Sequence, residues 1–343
     1  MGFYDNGIVF AVTRLTMPKH STMRNFNLLL VLLFLEVLAL SCKKDDKIQI
    51  LSYKYDQINS NLNESISYIR FIDSNTGFGV NYSGKVFKTI DKGVNWQSNS
   101  LTDFPLKSIY FVNKNIGFIV GDHSSAFKTI NDGVSWTELT LPDEVPEINS
   151  VYFINENIGF AVGLSFQLKT TNGGAKWNNF EFPVNCLMTK VLFINSQTGF
   201  AAGLSGNIFK TTDQGKTWSQ TDNISDGHIY DFCFVNGNTG YAAGQKEIVK
   251  TEDGGNTWNI LTNSPLEIYF IHFADILNGI AIGKGHYTGG DWGLWTSAIY
   301  STSDGGVTWK MEDNINFGSV ASFPSGRSGY ALGMNSIYKI TFE

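Results

Sequence analysis

Short apolar stretches separated by polar, glycine-containing turns follow one another along the chain from residue 48 to its end. One unit holds an apolar stretch such as 108–113 (SIYFVN), a glycine–aromatic stretch such as 159–163 (GFAVG), a third stretch that mostly ends in Lys-Thr, and a polar turn before a fourth. Apolar runs of this length bounded by Gly, Asn, Asp and Ser are typical of β-strands. The pattern therefore predicts an all-β chain of short antiparallel strands.

The unit recurs about every 40 residues, and its marker is a glycine followed by an aromatic or apolar residue. Units of this length with four strands are typical of β-propeller blades. The copies are marked by Gly77, Gly117, Gly159, Gly199, Gly240, Gly279 and Gly329. They predict a seven-bladed β-propeller of four-stranded antiparallel blades over 48–343. The last copy, 319–343, has three strands, and we expect the N-terminal stretch 48–55 to pair with it and close the ring.

Six copies contain a box of the form T-x-(D/N)-x-G-x-x-W between the third and fourth strands. We expect its Asp or Asn to accept hydrogen bonds from backbone N–H groups of the turn, and its glycine to adopt positive φ. The tryptophan is expected to fill space between adjacent blades. The predicted structural residues are Asp91, Trp96, Asn131, Trp136, Asn172, Trp177, Asp213, Trp218, Asp253, Trp258, Asp304 and Trp309.

The boxes resemble the Asp-box, or BNR, repeat, and residues 48–343 resemble the photosystem II assembly and stability factor family. The resemblance implies a seven-bladed propeller that serves as a protein-binding or assembly scaffold. Members of that family present an arginine-rich patch to their photosystem partner, whereas Arg70 and Arg327 are the only arginines here beyond the N-terminal region. Asp-box repeats also occur in sialidases, glycoside hydrolases and sorting receptors, and fold alone does not select among these functions.

The N-terminal region has the pattern of an export signal. A basic residue and an apolar run over 23–41 precede Cys42, which predicts a lipoprotein-type signal peptide. The stretch ALSCKKDDK resembles a lipobox, with Ala39 where that family usually has Leu. Lipidation at Cys42, a charged tether over 42–47 and an upstream segment, 1–22, outside the mature protein are expected. The alternatives are an ordinary cleaved signal and a cysteine without a special role.

Charge and residue types disfavour several kinds of chemistry. The net charge of −6 disfavours nucleic-acid binding. A sialidase needs an arginine cluster for its substrate carboxylate, and two arginines do not supply one. Histidine and cysteine spacings match no zinc or catalytic motif, so we expect no metal, no cofactor and no catalytic residues. Cys186 and Cys233 either pair or are two separate small buried side chains; nothing in their spacing indicates a pair, and we favour the second.

The sixth copy departs from the repeat. From Gly283 to the box threonine Thr302 there are 19 residues, against seven or eight in the preceding copies. This predicts a long loop between the second and third strands, on the face opposite the boxes. Together with equivalent turns it forms a candidate binding face. Its predicted residues are His286, Tyr287, Asp291, Trp292, Trp295, Tyr82, Asp122, His123, Phe166 and Glu247.

Two interpretations of this loop remain open at the level of sequence. Exposed tryptophan and tyrosine are typical of protein interfaces and of sugar-stacking platforms. The alternative is that the loop folds over the channel and its aromatic side chains pack there.

A set of lysines recurs at equivalent third-strand positions. A ring of them would attract an anionic partner. We favour stems laid along the sheet with the ammonium groups in water. The set comprises Lys88, Lys128, Lys169, Lys210, Lys250 and Lys339.

The sequence therefore predicts a non-catalytic, lipid-anchored scaffold in the bacterial cell envelope, attached to the outer membrane and exposed at the cell surface. Its partner is expected to be another envelope protein or complex, with a monomeric propeller, no nucleic acid and membrane contact through the lipid alone. The alternative is a glycan-binding or glycoside-hydrolase-like propeller. Two facing carboxylates near Trp292 would favour that alternative.

Overall fold

The computed structural model describes residues 51–142, 145–164, 166–184, 186–221, 226–261, 263–265, 267–287, 295–313, 317–333 and 336–343. These residues form seven four-stranded antiparallel sheets. Each sheet runs outward from a first strand at the central channel to a fourth strand at the periphery. The predicted seven-bladed propeller is confirmed.

Blades 1 to 3 follow the repeat in chain order. Blade 1 consists of β2 (Tyr68–Phe71), β3 (Gly77–Val80), β4 (Lys85–Thr89) and β5 (Gln97–Ser100). Blade 2 consists of β6 (Leu106–Phe111), β7 (Gly117–Gly121), β8 (Ala126–Thr129) and β9 (Thr137–Glu138). Blade 3 consists of β10 (Ile148–Phe153), β11 (Gly159–Gly163), β12 (Gln167–Thr170) and β13 (Trp177–Asn179).

Blades 4 to 6 repeat the same order, and a 3₁₀ turn at Leu204–Gly206 is the one helical element among the described residues. Blade 4 consists of β14 (Met188–Phe193), β15 (Gly199–Gly203), β16 (Ile208–Thr211) and β17 (Ser219–Gln220). Blade 5 consists of β18 (Ile229–Phe234), β19 (Gly240–Gly244), β20 (Ile248–Thr251) and β21 (Asn259–Leu261). Blade 6 consists of β22 (Ile268–Phe273), β23 (Gly279–Tyr287), β24 (Trp295–Thr302) and β25 (Lys310–Asp313).

Blade 7 joins the two ends of the described chain. It consists of β26 (Phe317–Ser325), β27 (Ser328–Gly333), β28 (Ile337–Phe342) and β1 (Tyr53–Ile58). Strand β1 pairs antiparallel with β28, from Tyr53 opposite Phe342 to Ile58 opposite Ile337. The ring is thus closed by an N-terminal strand, as the sequence predicts, and the outer edge of β28 is covered.

The closing strand lies further along the chain than the stretch 48–55 expected to form it. Leu51 is buried, and its N–H donates to Asn278 Oδ1 in blade 6 at 3.1 Å. The chain is therefore fixed to blade 6 before it reaches blade 7. The alternating apolar residues that pack along β28 are then Tyr53 and Tyr55.

Hydrophobic clusters fill the spaces between neighbouring blades, and the box tryptophans belong to them. Trp177, for example, lies edge-on to Phe153 of its own blade, with ring centroids 5.8 Å apart, in a cluster that includes Phe118 of blade 2. Trp218 occupies the same place between blades 3 and 4. The repeat thus supplies each interface with the same aromatic residue.

Candidate partner-binding face

The up-and-down path of each blade gives the propeller two distinct faces. Turns between the first and second strands, and the boxes between the third and fourth, lie on one face, which we call the box face. Turns between the second and third strands lie on the other, together with the connections from each fourth strand to the next blade. We call this the insertion face, because the added residues of blade 6 lie there.

The insertion continues the sheet of blade 6 rather than forming only a loop. Strands β23 and β24 are longer than their counterparts, and Tyr287 is paired with Trp295 beyond Lys284 and Ser297. Asp291 and Trp292 lie outside the described residues. For His286, Tyr287 and Trp295 the structure describes the backbone only. The predicted long loop is thus a hairpin extended from the insertion face.

Exposed aromatic side chains lie on the insertion face at blades 1 and 2. Tyr82, in the turn after β3, is 66% exposed, and Phe104, in the connection from β5 to β6, is 42% exposed. The ring of Phe104 stacks on His123 with centroids 4.2 Å apart. Tyr82 and His123 are predicted site residues. Phe104 is not, because it lies in a connection outside the repeated pattern.

A lysine holds two carboxylates beside these aromatic residues. The Nζ of Lys107 lies 2.8 Å from an oxygen of Asp122 and 2.6 Å from one of Glu147. Burial opposes the charged amine, but hydrogen bonds and charge from both carboxylates raise the pKa of Lys107. Asp122, a predicted site residue, therefore joins the turn of blade 2 to the connection that leads into blade 3.

Two further predicted site residues are less available to a partner. Phe166 is half-buried and packs against the cluster between blades 2 and 3. Glu247 is half-buried in the equivalent turn of blade 5, beside Lys246, which lies 3.5 Å from Asp226. The insertion face as described thus concentrates its exposed aromatic surface at Tyr82 and Phe104.

The boxes form a repeated hydrogen-bonded turn on the opposite face. In the first box, Thr89 Oγ1 donates to Asp91 at 2.8 Å and accepts from Gly93 N–H at 3.1 Å. The Asp91 carboxylate accepts from Asn95 N–H at 2.8 Å. The Gly93 backbone has φ 87°. These bonds recur in the other boxes, with Asn131 and Asn172 accepting where aspartate is replaced.

The recurring lysines hold neighbouring blades together. Lys128 Nζ donates to the carbonyl of Gly173 in the next blade's box at 2.8 Å, and Lys169 donates to Gly215 at 2.9 Å. The ammonium group of Lys128 also lies 5.3 Å from the ring centroid of Phe118. The expectation that these groups remain in water was therefore wrong for Lys88, Lys128, Lys169 and Lys210, because each of these four reaches a carbonyl or side chain of the next blade's box. Lys88 and Lys210 make equivalent contacts.

Exposed aliphatic side chains occupy the tips of several boxes. Ile90 and Ile130 are each 70% exposed, and Val134 is 75% exposed. They occupy the variable positions of the box, for which the hydrogen-bonded turn imposes no residue type. The box face is therefore a second surface on which a partner can be sought.

Among the described residues, the cysteines form no disulfide and the metal-ligating side chains form no cluster. Cys186 and Cys233 are free thiols, and burial raises the pKa of Cys233 to about 12. No cluster of three metal-ligating side chains occurs among the described residues. The same residues include no helix long and apolar enough to span a membrane.

Comparison with known proteins agrees with this architecture. The sequence profile of the photosynthesis system II assembly factor YCF48 family matches residues 48–154 and 169–339. The chain belongs to this family. No protein with a curated function matches it in sequence.

Among solved structures, a YCF48 bound to D1 peptide has a TM-score of 0.66 at 17% identity, covering 85% of this chain and 97% of that one. The YCF48 from Cyanidioschyzon merolae has a TM-score of 0.65 at 16% identity, covering 84% and 98%. A GH74 enzyme from Niastella koreensis gives 0.65 at 15% identity, covering 85% of this chain and 53% of that one. At these identities the likeness concerns the fold alone, which this YCF48-family chain shares with both YCF48 proteins and GH74 enzymes.

Proposed function

We propose that this YCF48-family propeller is a non-catalytic scaffold that binds a protein partner on its insertion face. The observation that carries the proposal is an exposed aromatic surface at blades 1 and 2, on the same face as a hairpin that extends one copy of the repeat, blade 6. A partner-specific function requires a feature that breaks the symmetry of the blades, and the hairpin of blade 6 is such a feature. The YCF48 bound to D1 peptide supports a peptide or protein as the class of partner.

The aromatic side chains of the insertion face suit protein recognition. Tyr82 offers a large exposed surface, and the stack of Phe104 on His123 fixes a second one in place. Exposed, ordered aromatic residues contribute strongly to interfaces because they bury much area and lose little conformational freedom. The ion pairs of Lys107 hold the surrounding backbone of blades 2 and 3 in place.

The hydrolase alternative is less well supported by the charges on this face. A glycosidase needs a protonated acid and a second carboxylate on either side of the scissile bond. Asp122 and Glu147 are instead both held by the ammonium group of Lys107. This arrangement favours a structural role for the pair and binding over hydrolysis. Sugar binding by the aromatic residues is the second candidate function. Capture from native envelope distinguishes a glycan ligand from a protein partner.

The position of the arginines bears on which partner is bound. Arg70 lies in the central channel, and Arg327 lies in an exposed turn between β26 and β27. The two do not make the arginine-rich patch that the resemblance to photosystem factors implies. We therefore propose an envelope protein or complex as the partner, with a monomeric propeller attached to the bacterial outer membrane through a lipid on Cys42.

The test is cross-linking and capture from native envelope with the full chain and with a variant in which 288–294 are replaced by Asn-Gly. The replacement retains Tyr287 and Trp295, which pair between β23 and β24, and removes the residues between them; we call it the tip variant. Substitution of the box-face Ile130 by Ser is the matched control. The proposal predicts one protein partner, lost with the tip variant and retained with I130S. Equal capture by both variants, or capture of glycan alone, would refute it.

A further inference from the structure

The central channel is a cavity of about 720 Å³ lined by the first strands of the blades. This volume lies in the range of small-molecule pockets, roughly 300–1,000 Å³. Its wall is rich in phenol rings and also carries buried charges. The side chains that matter for its chemistry are Tyr110, Tyr152, Tyr230, Tyr269, Arg70 and Lys190.

One of the channel cations is fully paired. Lys190 Nζ lies 2.8 Å from Asp231, whose other oxygen accepts the N–H of Ile271 at 3.2 Å. Burial favours the neutral amine, but the charge of Asp231 outweighs it and raises the pKa of Lys190, so the lysine stays protonated. Both oxygens of Asp231 are therefore already engaged within the protein, and among the described residues no ion pair joins this carboxylate to Arg70.

Arg70 also lines the channel, and no described carboxylate forms an ion pair with it. Its guanidinium carbon lies 5.5 Å from the ring centroid of Tyr110. Its Nε is buried and has no hydrogen-bond acceptor among the described residues. Lys107, which also lines the channel, is paired with Asp122 and Glu147. A buried guanidinium donor without an acceptor is costly, and an anion would relieve that cost.

The rest of the wall determines which anion fits. Tyr110 and Tyr152 lie with ring centroids 4.5 Å apart, and Tyr230 and Tyr269 stack at 5.9 Å. Burial lowers the pKa of His272, which also lines the channel, so that its ring is neutral at pH 7. Among the described residues that line the channel, the positive charge without a carboxylate partner is thus the guanidinium of Arg70, beside flat aromatic surfaces.

We propose that the channel binds a small organic monocarboxylate, with the carboxylate on the guanidinium of Arg70 and the ring of the ligand against the tyrosines. A planar guanidinium donates two parallel hydrogen bonds to a carboxylate, which makes arginine selective for this group. Aromatic acids and sugar acids share this chemistry. The site is separate from the insertion-face surface and does not depend on the partner proposed above.

The test follows the Nε–H signal of Arg70 by NMR in the full chain labelled with ¹⁵N-arginine, which contains four arginines. The signal is assigned as the one absent from R70K. Benzoate and glucuronate are the probes, and benzamide is the neutral counterpart of benzoate. We expect a saturable shift of the Arg70 signal with at least one carboxylate, no shift with benzamide, and an unchanged Arg327 signal. Benzoate and glucuronate then distinguish an aromatic from a sugar ligand.

Calorimetry measures the affinity of the same probes for two arginine variants. R70Q should bind the responding probe about tenfold or more weakly, as expected for loss of a charge-assisted pair, while R327Q binds as the unaltered chain does. An Arg70 signal that stays fixed with both carboxylates, or moves equally with benzamide, would overturn the proposal. Because that titration uses the unaltered chain, the result stands even if R70Q fails to fold.

Discussion

At the scale of single residues, the box is fixed by its glycine. In the fifth box, Gly255 has φ 77°, and a Cβ there would lie 2.3 Å from Phe200. We predict that G255A lowers the free energy of unfolding by about 2–4 kcal/mol, from backbone strain and overpacking together. Chemical denaturation measures it. G237A is the control, because nothing lies within 4 Å of its added Cβ. Similar losses for both variants would contradict this role of the box.

The box aspartates make stability depend on pH. Hydrogen bonds from the hydroxyl and backbone N–H of Thr217 hold the pKa of Asp213 well below its usual value, and those from Thr257 lower the pKa of Asp253 to about 2. A lowered native pKa stabilises the fold above the unfolded value near 4, and this stabilisation is lost as pH falls toward 2. Acid should therefore weaken the native protein progressively between about pH 4 and 2.

The double variant D213N/D253N isolates this effect, since Asn131 and Asn172 already serve in other boxes. We predict that the difference in unfolding free energy between the unaltered chain and the variant shrinks as pH falls through that window. Denaturation curves at several pH values measure it. D103N, at an exposed site, shows the effect of removing one carboxylate outside the boxes. A difference that does not vary with pH would show that the box carboxylates do not carry the effect.

At the scale of strands and blades, four third-strand lysines connect their blade to the next box: Lys88, Lys128, Lys169 and Lys210. We predict that K128M lowers the free energy of unfolding by about 1 kcal/mol, because the Gly173 carbonyl loses its donor. K339M is the matched control, since it holds the equivalent place in blade 7 without such a bond among the described residues. Thermal unfolding compares them. Equal effects would assign the loss to the lysine stem rather than to the contact between blades.

At the scale of the whole molecule, the repeat predicts the seven-bladed architecture. The positions of residues outside the repeated pattern are known only from the structure. Seven copies and a short last copy predict the ring and its closure, because each blade must cover its neighbour's edge. The first residue of β1 could not be predicted from the sequence, since Leu51 and Tyr53 are both apolar. The structure separates them: Leu51 is bonded to blade 6, and Tyr53 packs along β28. Arg70 could not be placed from sequence either, because channel-facing residues differ from blade to blade and carry no repeat.

The candidate face was predictable only in part. The longer spacing in blade 6 locates the hairpin, and the equivalent turns locate Tyr82 and His123 on the same face. Phe104 could not be predicted as a site residue, because it follows a fourth strand, where the connections between blades vary in length. Phe166 resembles Tyr82 in position but packs between blades, since its neighbours in blades 2 and 3 are apolar. Exposure at equivalent positions is set by what lies beneath each turn.

The most direct test of partner binding compares the two faces in living cells. A photo-cross-linking amino acid is placed at Tyr82 on the insertion face or at Ile130 on the box face, which are 66% and 70% exposed and thus equally accessible. We predict a covalent adduct with one envelope protein from position 82 and none from position 130. An adduct formed from position 130 alone would contradict it and assign recognition to the boxes.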